Sequence, residues 1–298
     1  MTATPAARLR QLLAEPGLIV MPCCFDALSA RLIERAGFPV TFMSGFAVSA
    51  ARLAMPDTGL ISYGEMLDQG RNICDAIEIP VIGDADTGYG NEMNARRTVR
   101  GYARAGFACL MIEDQQAPKR CGHTRGKQVI GREEARMRMR ATLDGREALR
   151  DEGGDILVMA RTDAAATLGL DEAIGRAQDF REMGADIAFV EAPRDAAELA
   201  RIGSEIEGPK MANLVEGGDT PVLSPAELES LGFKLAAHPL TLLNAATTAM
   251  QTALQSLASS TTPPELVSFA TLQSIVGFPD YDAQQAGYIP PGRDKLTE

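Results

Sequence analysis

The sequence predicts one closed (β/α)8 barrel, a TIM barrel with a C-terminal helical extension, and three observations predict it. Eight short β-rich apolar runs recur along 298 residues. Helical patterns fill the spaces between them, giving strand–helix units of roughly 30 residues. Polar residues collect where the runs end, on the side of a barrel that carries active sites. An open doubly wound sheet is the competing architecture, but no G-x-G-x-x-G follows the first run.

The runs, in order, are G-L-I-V-M-P (17–22), V-T-F-M-S (40–44), P-V-I-G-D (80–84), C-L-M-I-E-D (109–114), I-L-V-M-A-R-T-D (156–163), I-A-F-V-E-A (187–192), P-K-M-A-N (209–213) and F-K-L-A-A-H (233–238). Their β-branched and apolar content fits strands buried on both faces. The spacer over 26–37 reads as a helix with Asp26 as N-cap and Gly37 at its stop. The spacer over 91–106 ends in Ala105-Gly106, and a later one in Met183-Gly184. The whole chain, 1–298, reads as a single domain, with 259–298 expected to pack on a neighbouring subunit. That tail holds T-T-P-P, an apolar helical segment from Glu265 to Val276 and a Pro/Gly-rich end.

Composition is that of a globular chain with a large core, 45% hydrophobic and 23% charged. A net charge of −11 repels phosphate backbones, so no nucleic-acid partner is expected. No apolar run is long enough to span a membrane, and the first 15 residues read as a charged amphipathic helix rather than a signal peptide. Five cysteines without a C-x-x-C suggest reduced thiols and a cytoplasmic location.

Each strand exit carries polar residues: Ser44-Gly45-Phe46, Asp84-Ala85-Asp86, Glu113-Asp114, Arg161-Thr162-Asp163, Glu191, Asn213 with Glu216-Gly217-Gly218, and His238-Pro239. Singly, such residues are often helix caps or turns. Asp84 and Asp86 project to the same side at a strand end, and Glu113 on the next strand can add a third carboxylate. Adjacent carboxylates repel unless a cation sits between them. Oxygen ligands without histidine or thiolate suit Mg²⁺ or Mn²⁺. The plain alternative is an acidic rim paired with surface cations. Arg161 can clamp a carboxylate with its fork, or make a buried ion pair with Glu191 or Glu113. Ser44-Gly45 can offer backbone N–H groups to an anion.

Residues 115–131 are too polar and glycine-containing for a helix, and too long for an ordinary βα loop, so they read as a lid. Cys121 stands in it, flanked by Lys119, Arg120 and His123, all of which favour the thiolate. That makes Cys121 a candidate acid or nucleophile, whereas Cys23, Cys24, Cys74 and Cys109 read as packing.

K-R-C-G-H, D-A-D-T-G-Y-G, I-E-D-Q, M-A-R-T-D and the S-G-F turn together resemble the isocitrate lyase/phosphoenolpyruvate mutase superfamily over about residues 17–258. F-M-S-G-F-A-V-S-A-A, C-G-H-T-R-G-K, F-V-E-A-P and A-N-L-V-E-G-G-D-T-P look most like its 2-alkylmalate-cleaving branch, which contains the petal death protein and 2,3-dimethylmalate lyase. The resemblance implies Mg²⁺ near Asp84, Asp86 and Glu113, partly through water, with Asp57 of M-P-D-T-G as a site aspartate. It implies substrate binding by Ser44, Gly45, Phe46, Gly122, His123, Arg161, Glu191 and Asn213. Catalysis would fall to Cys121 as proton donor, with Asp57, Glu113, His123 and Arg161. Phe42 stands where methylisocitrate lyases carry tyrosine, and Phe46 where relatives have S-G-Y. The expected activity is Mg²⁺-dependent cleavage of a 2-hydroxy dicarboxylate, 2-alkylmalate or methylisocitrate-like, to a 2-oxo acid such as pyruvate and a second carboxylate. Oxaloacetate acetylhydrolysis, phosphonopyruvate chemistry and a non-enzymatic dicarboxylate-binding barrel are the alternatives. A homotetramer is expected.

Overall fold

A computed structural model describes residues 3–122, 124 and 126–288. Eight parallel strands follow one another around a closed barrel, β1 to β8 in chain order. They are β1 Ile19–Cys24, β2 Thr41–Met43, β3 Val81–Asp84, β4 Cys109–Glu113, β5 Leu157–Thr162, β6 Ile187–Val190, β7 Lys210–Asn213 and β8 Leu235–His238. Each lies on one of the eight apolar runs, and β1 runs two residues further than its run. The helices are α1 Pro5–Ala14, α2 Ala27–Arg35, α3 Gly45–Leu53, α4 Tyr63–Ala76, α5 Glu92–Arg104, α6 Arg132–Asp151, α7 Ala164–Thr167, α8 Leu170–Met183, α9 Ala196–Glu205, α10 Pro225–Ser230, α11 Thr241–Ala258, α12 Phe269–Val276 and α13 Phe278–Ala286.

Local chemistry sets the boundaries. Asp26 caps α2 by accepting the Ser29 N–H, and the Ser29 side chain returns the bond, a capping box. Gly37, Gly106 and Gly184 end their helices at positive φ, as the A-G and M-G signals predict. Side-chain alternation splits the strands between two cores. Met21, Cys23, Phe42, Met111, Met159, Phe189 and Met211 fill the barrel interior, where Ala6 and Leu9 of α1 join them. Leu110, Ile112, Val158 and Ala160 face outward onto Ile33, Met66, Val99 and Leu143 of the surrounding helices. Burying such side chains contributes about 1.5–3 kcal/mol each.

Register decides which exits meet. Glu113 pairs with Arg161, and Arg161 with Phe189. Asp84 pairs with Met111. One closed ring therefore brings Asp84, Glu113 and Arg161 to adjacent positions on the same rim.

The chain divides into two compact units, residues 1–245 and 246–298, so the division falls inside α11. The first is the barrel. In the second, α12 and α13 follow one another, capped by Ser268 and separated by Gly277. None of the residues of α11, α12 or α13 is buried, and Leu254, Leu266, Val267 and Phe269 are each at least 63% exposed.

Candidate active site

A cavity of about 270 Å³ opens at the C-terminal ends of the strands. Its walls include Ser44, Phe46, Asp57, Asp84, Cys121, Gly122, Arg161, Glu191 and Asn213, nine of the residues singled out from sequence. Gly45, Asp86 and Glu113 are buried behind this lining. His123 lies outside the described residues.

The acidic cluster is built by the turn after β3. Asp86 takes a left-handed backbone at φ 48°, and its N–H donates to Asp84 Oδ1 at 3.0 Å. The other Asp84 oxygen accepts the Gly45 N–H at 3.2 Å. A Cβ on residue 45 would collide with that carboxylate, so the turn needs glycine. The N–H expected to face a substrate anion is thus spent on Asp84 here. Lys119 reaches in from the lid and places Nζ 2.5 Å from Asp57 Oδ1 and 2.7 Å from Asp86 Oδ1. Both contacts are within hydrogen-bond length, and the Lys119 charge and hydrogen bond favour the ionised Asp86 carboxylate. Lys119 therefore serves the carboxylates, which corrects the expectation from K-R-C-G-H that it favours the Cys121 thiolate.

Burial pushes Asp84 above the usual carboxylate range, and the charge of Asp86 adds to it. Burial likewise raises Asp86 despite the Lys119 charge, and lifts Glu113 well up despite Arg161. Burial disfavours the Lys119 ammonium, but Asp86, Asp84, Asp57 and Glu113 outweigh it and hold its pKa well above normal. The cluster is short of positive charge. Among the described residues Glu113 Oε1 is buried without a hydrogen-bond partner. Among the described residues no three Asp, Glu, His or Cys side chains are drawn together tightly enough to enclose an ion by themselves. The raised carboxylates and the orphaned Glu113 oxygen fit a hydrated hard cation held by one or two carboxylates and water, the ordinary manner of Mg²⁺.

Arg161 is the hub of the opposite wall. Its fork is filled by Asp163, Nε to Oδ2 at 2.8 Å and Nη2 to Oδ1 at 2.9 Å. Glu113 Oε2 lies 3.2 Å from Nε and Glu191 Oε2 3.2 Å from Nη1, so both ion pairs weighed from sequence are made. Arg161 also stands over the Phe189 ring. The bidentate partner is Asp163, named from sequence only as a strand-exit residue; an i, i+2 pair at a strand end can fold back on itself. Asn213 Nδ2 donates to Glu191 at 3.2 Å, which fixes the two predicted wall residues to each other.

The described residues between β4 and α6 form no helix, as the composition of the segment requires. It returns on itself through a bridge between Gln115 and Val129. The Gln115 side chain brackets Arg120, donating to its carbonyl and accepting its N–H. Cys121 N–H donates to the Asp57 carbonyl at 3.1 Å, which brings the thiol-bearing turn to the cavity. Gly122 then approaches Arg161 and Glu191 so closely that a Cβ would collide with both side chains.

The apolar floor of the cavity, apart from Phe42, was not proposed from sequence. Phe42, Met111, Phe189 and Met211 line it. Each stands two residues before a proposed polar residue: Ser44, Glu113, Glu191 and Asn213. Period-two alternation alone would have found them. Val215, Glu216 and Leu240 complete the rim, where the Thr241 hydroxyl donates to Glu216.

Residues 9–258 match the family model described as phosphoenolpyruvate phosphomutase. The chain is 43% identical over 287 residues to the chloroplastic carboxyvinyl-carboxyphosphonate phosphorylmutase of Arabidopsis thaliana, covering 95% of this chain and 83% of the relative. It is 43% identical over 245 residues to the 2,3-dimethylmalate lyase of Eubacterium barkeri, covering 82% and 83%. Among solved structures it superposes on an oxaloacetate acetylhydrolase bound to 3,3-difluorooxalacetate with a TM-score of 0.91 at 33% identity, covering 96% and 97%. A phosphonopyruvate hydrolase holding oxalate and Mg²⁺ gives 0.84 at 26% identity, covering 97% and 100%.

Proposed function

The chain belongs to the phosphoenolpyruvate mutase/isocitrate lyase superfamily and is a carbon–carbon lyase, and from this premise we propose that it cleaves a 2-alkylmalate with Mg²⁺. One observation carries the reading: Cys121, Asp84 and Arg161 line one cavity whose floor is apolar. Such a cavity offers charge to the carboxylates of a malate, a thiol to the departing carbon, and Phe42, Met111, Phe189 and Met211 to an alkyl group.

Asp84, Asp86 and Glu113 would hold the cation, which supplies a Lewis acid that makes the C2 hydroxyl easier to deprotonate. Asp57 lines the cavity while Glu113 lies behind it, so Asp57 is the better placed acceptor of the hydroxyl proton. The C2 oxygen pair forms a carbonyl, the C2–C3 bond breaks, and its electrons pass to C3, where the adjacent carboxylate delocalises them. Cys121 gives C3 a proton. The Arg161 guanidinium lines the cavity in a fixed position, held there by Asp163, Glu113 and Glu191. The products are a 2-oxo acid and a saturated carboxylate.

The likeness to an oxaloacetate acetylhydrolase makes oxaloacetate the second substrate to assay. A phosphonate reaction requires no thiol acid, and the Cys121 position disfavours it. Purified protein with Mg²⁺ should release pyruvate from a 2-methyl-substituted malate faster than acetate from oxaloacetate or phosphate from phosphonopyruvate. EDTA should abolish turnover and Mg²⁺ or Mn²⁺ restore it. Undiminished activity in metal-free buffer, or a preference for phosphonopyruvate, would refute the proposal.

The exposed apolar residues of α11, α12 and α13 support assembly. The proposed state is a homotetramer in which residues 259–298 pack on a neighbouring subunit. Light scattering at micromolar concentration should give four times the 31.8 kDa chain mass, and a monomer would contradict it. The proposed location is cytoplasmic; no described helix is long and apolar enough to cross a membrane.

A further inference from the structure

We propose that Lys127 is a positioning residue for Cys121: it seats the Cys121–Gly122 turn on Asp163 and so holds the thiol at the cavity. Lys127 lies on the lid beside the exposed residues Gly126 and Gln128, yet its side chain is only 5% exposed. Long charged side chains are seldom buried without a partner. Two partners explain this one. The ammonium donates to the Gly122 carbonyl, one peptide unit from Cys121, and stands 3.5 Å from Asp163 Oδ1.

Asp163 is a rigid post. It is fully buried, and its carboxylate takes the Arg161 fork. Its N–H donates to Asp114 Oδ1 at 2.9 Å. Asp114 in turn accepts the Thr162 hydroxyl at 2.7 Å and Arg176 Nη1 at 3.0 Å. One carboxylate thus joins the lid, through Lys127, to the cavity cation Arg161. Lys119 anchors the other flank of the turn on Asp57 and Asp86. The Lys119 anchor engages the acidic cluster, where the cation and the substrate act. The Lys127 anchor engages only protein, so it sets the position of the turn independently of what fills the cavity.

The inference rests on the reading of Cys121 as proton donor, so the test has an arm that needs no turnover. Cys121 in the purified full chain is alkylated with iodoacetamide and its labelling rate followed by peptide mass spectrometry. Lys127→Met should expose the thiol and raise that rate about tenfold or more, the loss of one charged hydrogen bond. Lys127→Arg, which keeps the charge, should label near the wild-type rate. On the preferred malate, Lys127→Met should lower kcat roughly 10–100-fold, as misplacement of a reacting group does, with KM nearly unchanged. In a Cys121→Ser background the same substitution should lower kcat little further, because the group it positions is gone. Wild-type labelling in Lys127→Met, or losses that multiply fully in the double variant, would overturn the proposal. If Lys127→Met fails to fold, Lys127→Gln carries the same labelling comparison. An absence of lyase activity in the wild type would refute the functional reading and leave the labelling result to decide the role of Lys127.

Discussion

Cys121→Ser should lower turnover by roughly 10²–10⁴-fold, the usual contribution of one acid–base group. A free thiol has a pKa of about 8.5, close enough to working pH to give a proton and recover it. A serine hydroxyl is many units weaker as an acid and leaves the C3 carbanion without a donor. KM should change little, because the groups that hold the carboxylates are untouched. Serine is smaller than cysteine and polar, and Cys121 is only partly buried, so stability should stay within about 0.5 kcal/mol of wild type. Steady-state kinetics with thermal melting checks both halves. Wild-type turnover in a folded variant would remove the thiol from the chemistry.

Arg161→Met should have the largest effect on the fold. Arg161 pairs with Glu113, Asp163 and Glu191, and its side chain is 9% exposed while theirs are at most 1%. Methionine keeps much of the volume and deletes the charge. Three carboxylates are then left under the cavity without their shared cation. Removing one partner of a buried ion pair costs about 3–5 kcal/mol, a fall in Tm on the order of 10 °C for a chain of this size. Arg161→Lys should fall between, because an ammonium cannot satisfy the two Asp163 oxygens as a fork does. Urea denaturation of the three proteins measures this. A methionine variant as stable as wild type would mean that the carboxylates are satisfied some other way.

The barrel was legible because each strand is a short apolar run and several helices carry their own stop. Asp26 and Gly37 bound α2 by local chemistry that needs no tertiary context. The site was legible to the extent that strand exits converge, which is why Ser44, Asp84, Arg161, Glu191 and Asn213 share one cavity. Pairing within it was not. A lysine has four rotatable bonds, and nothing in K-R-C-G-H says that Lys119 turns to Asp57 and Asp86 instead of the neighbouring thiol. The fork of Arg161 could have served a substrate, and only register and burial show Asp163 filling it. Lys127 reads as one more cation in a polar loop until its side chain is found buried against Asp163.

The central claim is that this cavity breaks a C2–C3 bond and that Cys121 protonates the carbon released. Proton NMR of the products from purified enzyme, Mg²⁺ and 2,3-dimethylmalate in D₂O, with the propionate then converted to the ester of a single-enantiomer chiral alcohol so that its two C2 positions are distinguishable, tests it most directly. The expected result is pyruvate together with propionate that carries a single deuterium, at one of its two C2 positions only. Intact substrate after prolonged incubation, or deuterium spread equally over both positions, would contradict it.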